Sequence, residues 1–460
     1  DVMTQENYKQ EVRAQYEAYP YPMRDPNDEH KQLIFTSSDQ LDLLNHYAFE
    51  GKRDFNEARI LIAGEGTGDA SIFLAEQLRG TNAEIIALDI SEASQSIARA
   101  RSEARQQTNI QHLHGSLLDV AEMDLGMFDY ISCTGVLHHL PDPQAGLQAL
   151  ASVLKDDGAM GLMLYGEIAR KAIYNMQALM RHFITDDMAP QKKVEACRAI
   201  LQQMPKSNWV AQHMQAYAAE IQTNGDAAVY DLFLHAQDRA YTIPEVYAFV
   251  EDANLQLVDF IASEAHASTI YEPILYLKDQ ALLQRIGEMD KAQRYAIGEA
   301  LACTVTRHIF YVSKQTRTPA SVTDHSNIPA WHIGYADGNY SEQIADQLRG
   351  TPQDSNLRIE VRKGQTLLIT KRRYTAELCG AIDGQRSMQA IIDHVIADNA
   401  LQDTQAIRKE LADDLQNLLL QMHRFHYIFL RAAHVPPFPS LREILDRGTN
   451  ATQSDEEDAA

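Results

Sequence analysis

An open α/β sheet with helices on both faces is predicted for the first part of this 460-residue chain, and three observations predict it. Ile60-Leu61-Ile62-Ala63 is an apolar run of strand length; Gly64, Gly66 and Gly68 break it, and Ala70 to Leu78 continues at helical spacing. A second apolar run, Glu84 to Ile90, carries Asp89 at its end, 21 positions beyond Gly68. A third, Phe128 to Thr134, leads into an amphipathic stretch at about 144–153, the turn Lys155-Asp156-Asp157-Gly158 and the apolar run Ala159 to Leu164. Strands alternating with helices build a mostly parallel sheet, whose ligands lie at the carboxyl ends of the strands.

A glycine-rich turn between strand and helix lets a ligand approach the backbone and aims the helix N-terminus at it. A carboxylate at the end of the next strand can take both hydroxyls of a ribose. Gly64, Glu65, Gly66, Gly68, Asp89 and its neighbour Ile90 therefore form an expected pocket for an adenosine-containing cofactor. A dinucleotide site wants a third glycine where this chain has Asp69. A carboxylate there suits the helix dipole but repels a pyrophosphate.

Gly64-x-Gly66-x-Gly68, together with the string FDYISCTGVLHHLPDP at Phe128 to Pro143, resembles class I S-adenosylmethionine-dependent methyltransferases over about 59–165. The resemblance implies a Rossmann-like, seven-stranded, mostly parallel sheet. It implies S-adenosylmethionine as cofactor and S-adenosylhomocysteine as product, with Thr134 and Gly135 after the fourth strand and Ser116 and Leu117 after the third lining the site. Family members often carry an acid where Ser116 stands, and a hydroxyl accepts less strongly than a carboxylate. Asp119 is expected to cap a helix or to support the site from behind.

Residues 1–50 read as polar and helical, interrupted by Tyr16-Glu17-Ala18-Tyr19-Pro20-Tyr21-Pro22, which the two X-Pro steps force to be extended. This segment is either an anchor or a lid that brings Tyr16 and Tyr21 over cofactor and acceptor. A similar Tyr-Glu-x-x-Pro-Tyr-Pro segment precedes the core in some bacterial members of the family. The methyltransferase unit is expected to span 51–315, with a helical insertion at 166–240 in which Ile168, Ala172, Ile173, Met176, Leu179 and Met180 recur at helical spacing. The string FLHAQDRAYT at Phe233 to Thr242 resembles a segment of the same bacterial subgroup. Thr242, with Pro244 and Glu245 behind it, is a capping-box start for a helix to Glu251. A strand Leu255–Ile261, one helix at about 280–304 and a strand His308–Val312 follow. Thr316 to Ser326 reads as a linker. The stretch 316–446 is a smaller α+β module, weakly winged-helix-like, with strands at Leu357–Val361 and Thr366–Ile369, three helices and a strand at Tyr427–Leu430. It is expected to act as a cap, to pair two copies of the chain, or to grip a polypeptide. The acidic end, 447–460, is expected to have no fold.

A net charge of −23 argues against nucleic-acid and anionic-membrane partners, whose binding rests on Lys and Arg. Cys133, Cys197, Cys303 and Cys379 lack metal-ligand spacing and read as small buried hydrophobes. The first residues contain no signal-like apolar segment, and no run of eighteen apolar residues occurs, so a soluble cytoplasmic protein is expected. Methyl transfer from a sulfonium is an in-line displacement that depends mostly on positioning, with a base needed only where the acceptor must lose a proton. Catalytic candidates are His138, His139, Tyr21 and Tyr165. Arg170, Asp238, Arg239 and Tyr241 are candidates for the acceptor side, with Arg239 suited to a carboxylate. No set of metal ligands stands out. The expected activity is methylation of a small molecule; a polypeptide acceptor docked on the C-terminal module and a non-catalytic cofactor-binding regulator are the alternatives.

Overall fold

The computed structural model describes residues 13–14, 16–185, 187–235, 238–261, 268–362 and 365–447. Five parallel strands form the heart of the sheet: β1 (Arg59–Ala63), β2 (Glu84–Asp89), β3 (Ile110–His114), β4 (Phe128–Thr134) and β5 (Leu154–Gly166), in the order β3-β2-β1-β4-β5. The two-residue strand β6 (Ala240–Tyr241) pairs with the end of β5. Beyond β5 lies β8 (Arg307–Ser313), antiparallel both to β5 and to β7 (Gln256–Phe260) at the edge. The main path thus has the seven expected strands.

Side chains that alternate along β1 feed two different cores, as the period of two requires. Ile60 and Ile62 pack with Ile85, Ala87 and Tyr130 on one face. Leu61 and Ala63 pack with Ile86, Leu88 and Ile131 on the other. The helices α1 (Leu41–Ala48), α2 (Asp69–Gln77), α3 (Glu92–Ala104) and α4 (Pro143–Ser152) cover these faces. The expectation that 1–50 is polar throughout fails at α1, all eight of whose residues are buried. Its Leu41, Leu44 and Tyr47 continue the core of the Ile60 face.

The insertion consists of α5 (Glu167–Met180), α6 (Pro190–Gln202) and α7 (Trp209–Val229), closed by a π turn at Tyr230–Leu234. Met176 and Met180 serve as packing there, against Ile173, Val194 and Phe233. Thr242 opens α8 (Ile243–Glu251) with the expected capping box. One long helix was expected at 280–304; there are two, α9 (Gln280–Gly287) and α10 (Lys291–Ala302). Asp290 starts a new helix through a capping box with Gln293. Three cysteines are buried, but Cys303 is exposed.

The C-terminal part contains β9 (Ile328–Trp331), α11 (Tyr340–Arg349), the hairpin β10 (Asn356–Arg362) and β11 (Gln365–Thr370), then α12 (Thr375–Gly380), α13 (Met388–Asp398), α14 (Gln405–His423) and β12 (Ile428–Arg431), which pairs with β9. The hairpin precedes the last three helices, the order expected from the sequence. This part has its own core, including Ile344, Leu367, Ile391 and Leu415, yet it is fastened to the sheet unit. Phe429 enters the α1 core, Leu430 N–H donates to His46 Nδ1 at 3.0 Å, and Ile333 and Ile444 pack on Ile72 and Phe73 of α2. The expected unfolded tail lies outside the described residues, save Arg447. No helix among the described residues is long and apolar enough to cross a membrane.

Residues 16–36 run as a strap across the carboxyl end of the sheet, held by buried charges. Arg101, 1% exposed, meets Glu29 at 2.5 Å and Asp69 at 2.8 Å. Arg105 pairs with the same Glu29, and Arg24 grips Asp69 at 2.7 Å. Removing one partner of such a network leaves an uncompensated buried charge. Arg101→Ala is expected to destabilise the protein by about 3–5 kcal/mol, measured by denaturant unfolding, and to make the strap cleavable in limited proteolysis.

Candidate active site

The three glycines of the turn have φ of 85°, 56° and 100°, a backbone that only glycine adopts without strain. Close neighbours also exclude a side chain. A Cβ at Gly64 would lie 2.3 Å from Val136 Cγ2, and one at Gly66 would lie 2.9 Å from the carbonyl oxygen of Tyr21. Gly64 and Glu65 N–H groups both donate to Leu88 O at the end of β2. Asp89 completes the pinning: Oδ2 accepts from Gly66 N–H at 2.7 Å and Oδ1 from Ser91 N–H at 2.8 Å. Burial pushes its carboxyl up to about 6, against the pull of those hydrogen bonds.

The other residues expected around the cofactor divide by role. Glu65 turns its carboxylate inward, accepting from Ser71 Oγ at 2.7 Å and lying 2.9 Å from His112 Nδ1, so only its backbone faces the turn. The Ser116 hydroxyl caps the short helix Leu117–Glu122 by accepting from Leu118 N–H, the capping role expected of Asp119, which lies within that helix. Leu117 is buried in the core. Ile90 is half-buried, and its carbonyl meets His114 Nε2 at 3.0 Å. Thr134 is exposed and Gly135 half-buried at the mouth of β4.

The strap brings both tyrosines to this edge. Tyr21 O–H donates to Glu220 Oε1 of α7 at 2.7 Å, and Thr67 Oγ1 donates to the Pro22 carbonyl. Tyr16 Oη lies 3.4 Å from His235 Nε2. Glu17 accepts from Glu92 N–H at 2.7 Å at the start of α3.

Beyond β4 and β5 lies a buried polar cluster. Its histidines have distinct surroundings. His138 is fully buried between the rings of Tyr165 and His139, at centroid distances of 3.9 and 4.3 Å. Burial holds it well below the usual imidazole range, so it is a neutral packing ring. His139 stacks on His235 at 3.8 Å, with Nε2 4.0 Å from Asp231 Oδ1. Tyr165 O–H donates to Asp231 Oδ2 at 3.0 Å. Burial pushes the Asp231 carboxyl up to about 6, opposed by Arg170. Asp231, His235 and Glu220 were missed from sequence. The four-residue spacing of Asp231 and His235 was the available signal.

Arg170 and Asp238 come together as a buried ion pair at 2.8 Å, with the guanidinium 3.6 Å over the Tyr165 ring. Arg239 is exposed beside Glu245; its backbone N–H donates to His138 O. A groove of about 680 Å³ opens outside this pair, lined by Lys171, Tyr174, Asn175, Trp209, Asp238 and Arg239 among others. Tyr241 lies beneath Arg239, whose guanidinium is 4.7 Å from its ring centroid. Its ring is 1% exposed and packs on Phe249 in the core, and its hydroxyl is buried with no hydrogen-bond partner among the described residues.

Comparison with known proteins places this geometry. Residues 61–160 match the model of a methyltransferase domain family. An uncharacterised protein of Synechococcus sp. is 32% identical over 319 residues, 66% of this chain and 72% of that protein. A ubiquinone biosynthesis O-methyltransferase of Acinetobacter baylyi is 26% identical over 158 residues, 34% of this chain and 62% of that enzyme. Among solved structures, PKMT2 from Rickettsia typhi superposes with a TM-score of 0.60 at 12% identity, over 87% of this chain and 76% of that one, and it has also been solved with AdoHcy.

An orphaned buried hydroxyl costs about 1–3 kcal/mol. Tyr241→Phe is therefore expected to keep or raise the melting temperature in calorimetry and to leave methyl transfer unchanged.

Proposed function

The chain belongs to one family with the Synechococcus protein and is a class I S-adenosylmethionine-dependent methyltransferase, and from that premise we propose that it methylates a small molecule seated against the buried polar cluster beyond β4 and β5. One observation carries this reading. The pinned glycine turn and the buried group of His139, Tyr165 and Asp231 occupy the same edge of the sheet, so cofactor and acceptor meet across the ends of β4 and β5.

In this reading Asp89 takes the ribose hydroxyls. The backbone of Gly64, Glu65, Gly66 and Gly68 borders the methionine portion, Ile90, Ser116 and Leu117 surround the adenine, and Thr134 and Gly135 close the mouth of β4. Tyr16 and Tyr21 cover the site from the strap. Asp231, oriented by Tyr165, and His139 receive the proton of an acceptor that must lose one. His138 supports His139 by packing. Arg170 and Asp238 fix the wall, and Arg239 stands at the groove mouth, placed to meet a carboxylate. Most of the rate comes from alignment of nucleophile, methyl carbon and sulfur.

A polypeptide acceptor is the second reading. What favours it is the groove itself, which is open to the surface beside Trp209, 57% exposed. The docking surface would then be the insertion. The C-terminal module packs on α1 and α2, and its removal would take Phe429 out of the α1 core and uncover Ile72 and Phe73.

Two outcomes test the reading. Asp89→Ala should weaken S-adenosylhomocysteine binding by about 1.5–3 kcal/mol in calorimetry. The ribose hydroxyls need the ionised carboxylate, so affinity of the unmutated protein is full above about pH 7 and falls as pH drops through about 6; Asp89→Asn removes that slope. For the acceptor, methyl-labelled cofactor incubated with the small-molecule and protein fractions of a cell extract should label the former. His139→Gln should cut that labelling by roughly 10²-fold or more. Label confined to protein would transfer the proposal to the second reading.

A further inference from the structure

His139, Asp231 and His235 come from two separate turns, yet each brings one ligand atom within 4.8 Å of the other two, and all three are buried. His139 ends the short turn Leu137–His139 after β4. Asp231 lies in the π turn Tyr230–Leu234 and His235 directly follows it. Four residues of spacing along a helical turn put both side chains on one side. Single π turns of this kind recur at functional sites.

The donor set is chemically specific. Two imidazoles and a carboxylate, with a position left for an outside ligand, are the donors of catalytic zinc and of non-haem iron(II) centres. The surroundings orient the ligands as outer hydrogen bonds do in metal centres. Tyr165 O–H occupies Asp231 Oδ2, which leaves Oδ1 as the oxygen nearest His139. Tyr16 Oη lies beside His235 Nε2.

We propose that His139, Asp231 and His235 hold one divalent transition-metal ion on the acceptor side of the site. The proposal rests on the methyltransferase reading and, with the ion bound, replaces the proton-accepting role of His139 and Asp231 by ligation: the ion's remaining position would take an oxygen of the acceptor, which makes an oxygen-bearing ligand the substrate class. Metal–ligand bonds of about 2.0–2.2 Å set tetrahedral ligand atoms about 3.4 Å apart, so the 4.0 Å between His139 Nε2 and Asp231 Oδ1 must close by roughly 0.6 Å. The two imidazole planes, now 20° apart, must open so that their lone pairs converge.

The full chain, stripped with a chelator and dialysed, would be titrated with Co²⁺ and followed by visible absorption, with S-adenosylhomocysteine binding measured in parallel. The expected result is one Co²⁺ per chain, with the intense bands of four-coordinate cobalt, displaced by Zn²⁺. His235→Ala and Asp231→Asn should each abolish that saturable binding while S-adenosylhomocysteine still binds, which also shows that the variants fold. Absence of saturable Co²⁺ binding in the unmutated protein, or unchanged binding in both variants, overturns the metal site. Failure of the unmutated protein to bind S-adenosylhomocysteine undoes the parent reading instead, and the cobalt titration still decides the metal site.

Discussion

The arrangement of the whole site depends on one short piece of left-handed backbone. Gly64, Gly66 and Gly68 turn the chain from β1 into α2 through φ values closed to other residues without strain. Such a turn is pliant unless its N–H groups are engaged. Here Leu88 O and Asp89 hold it from the β2 side, and Pro22, Arg24 and Arg101 hold it from the strap and α3. Asp69 acquires its purpose in this setting. It stands where a dinucleotide fold needs glycine, and it serves as the shared anion of Arg24 and Arg101.

Around this fixed turn the molecule sets two electrostatic environments side by side. The turn presents backbone and one partly desolvated carboxylate, Asp89. The region beyond β4 and β5 concentrates buried imidazoles, tyrosines and carboxylates. Burial shifts three of them toward their neutral forms, raising Tyr165 and Asp231 and lowering His138.

The sheet was legible because its signals are local. Apolar runs of four to seven residues, glycines at a turn and capping boxes at Thr242 and Asp290 each act within a few residues, although the second box was overlooked and two helices were taken for one. The glycine turn between β1 and α2 was legible for the same reason. The buried polar cluster was not, because its members converge from positions 16, 21, 139, 165, 220, 231, 235 and 238, and no local pattern announces that convergence. Tyr241 shows the opposite error. Next to Asp238 and Arg239 in the chain it suggested a polar cluster, but strand alternation sends its ring into the core. Asp238 chose Arg170, 68 positions away, over its neighbour.

The strap ties together two parts of the molecule that are far apart in the chain. Between Tyr21 and Arg24 it touches the glycine turn through Gly66, Thr67 and Asp69, and the insertion through Glu220 and Asn224. One short ribbon therefore spans both, so any displacement of it breaks contacts with the turn and with the insertion together.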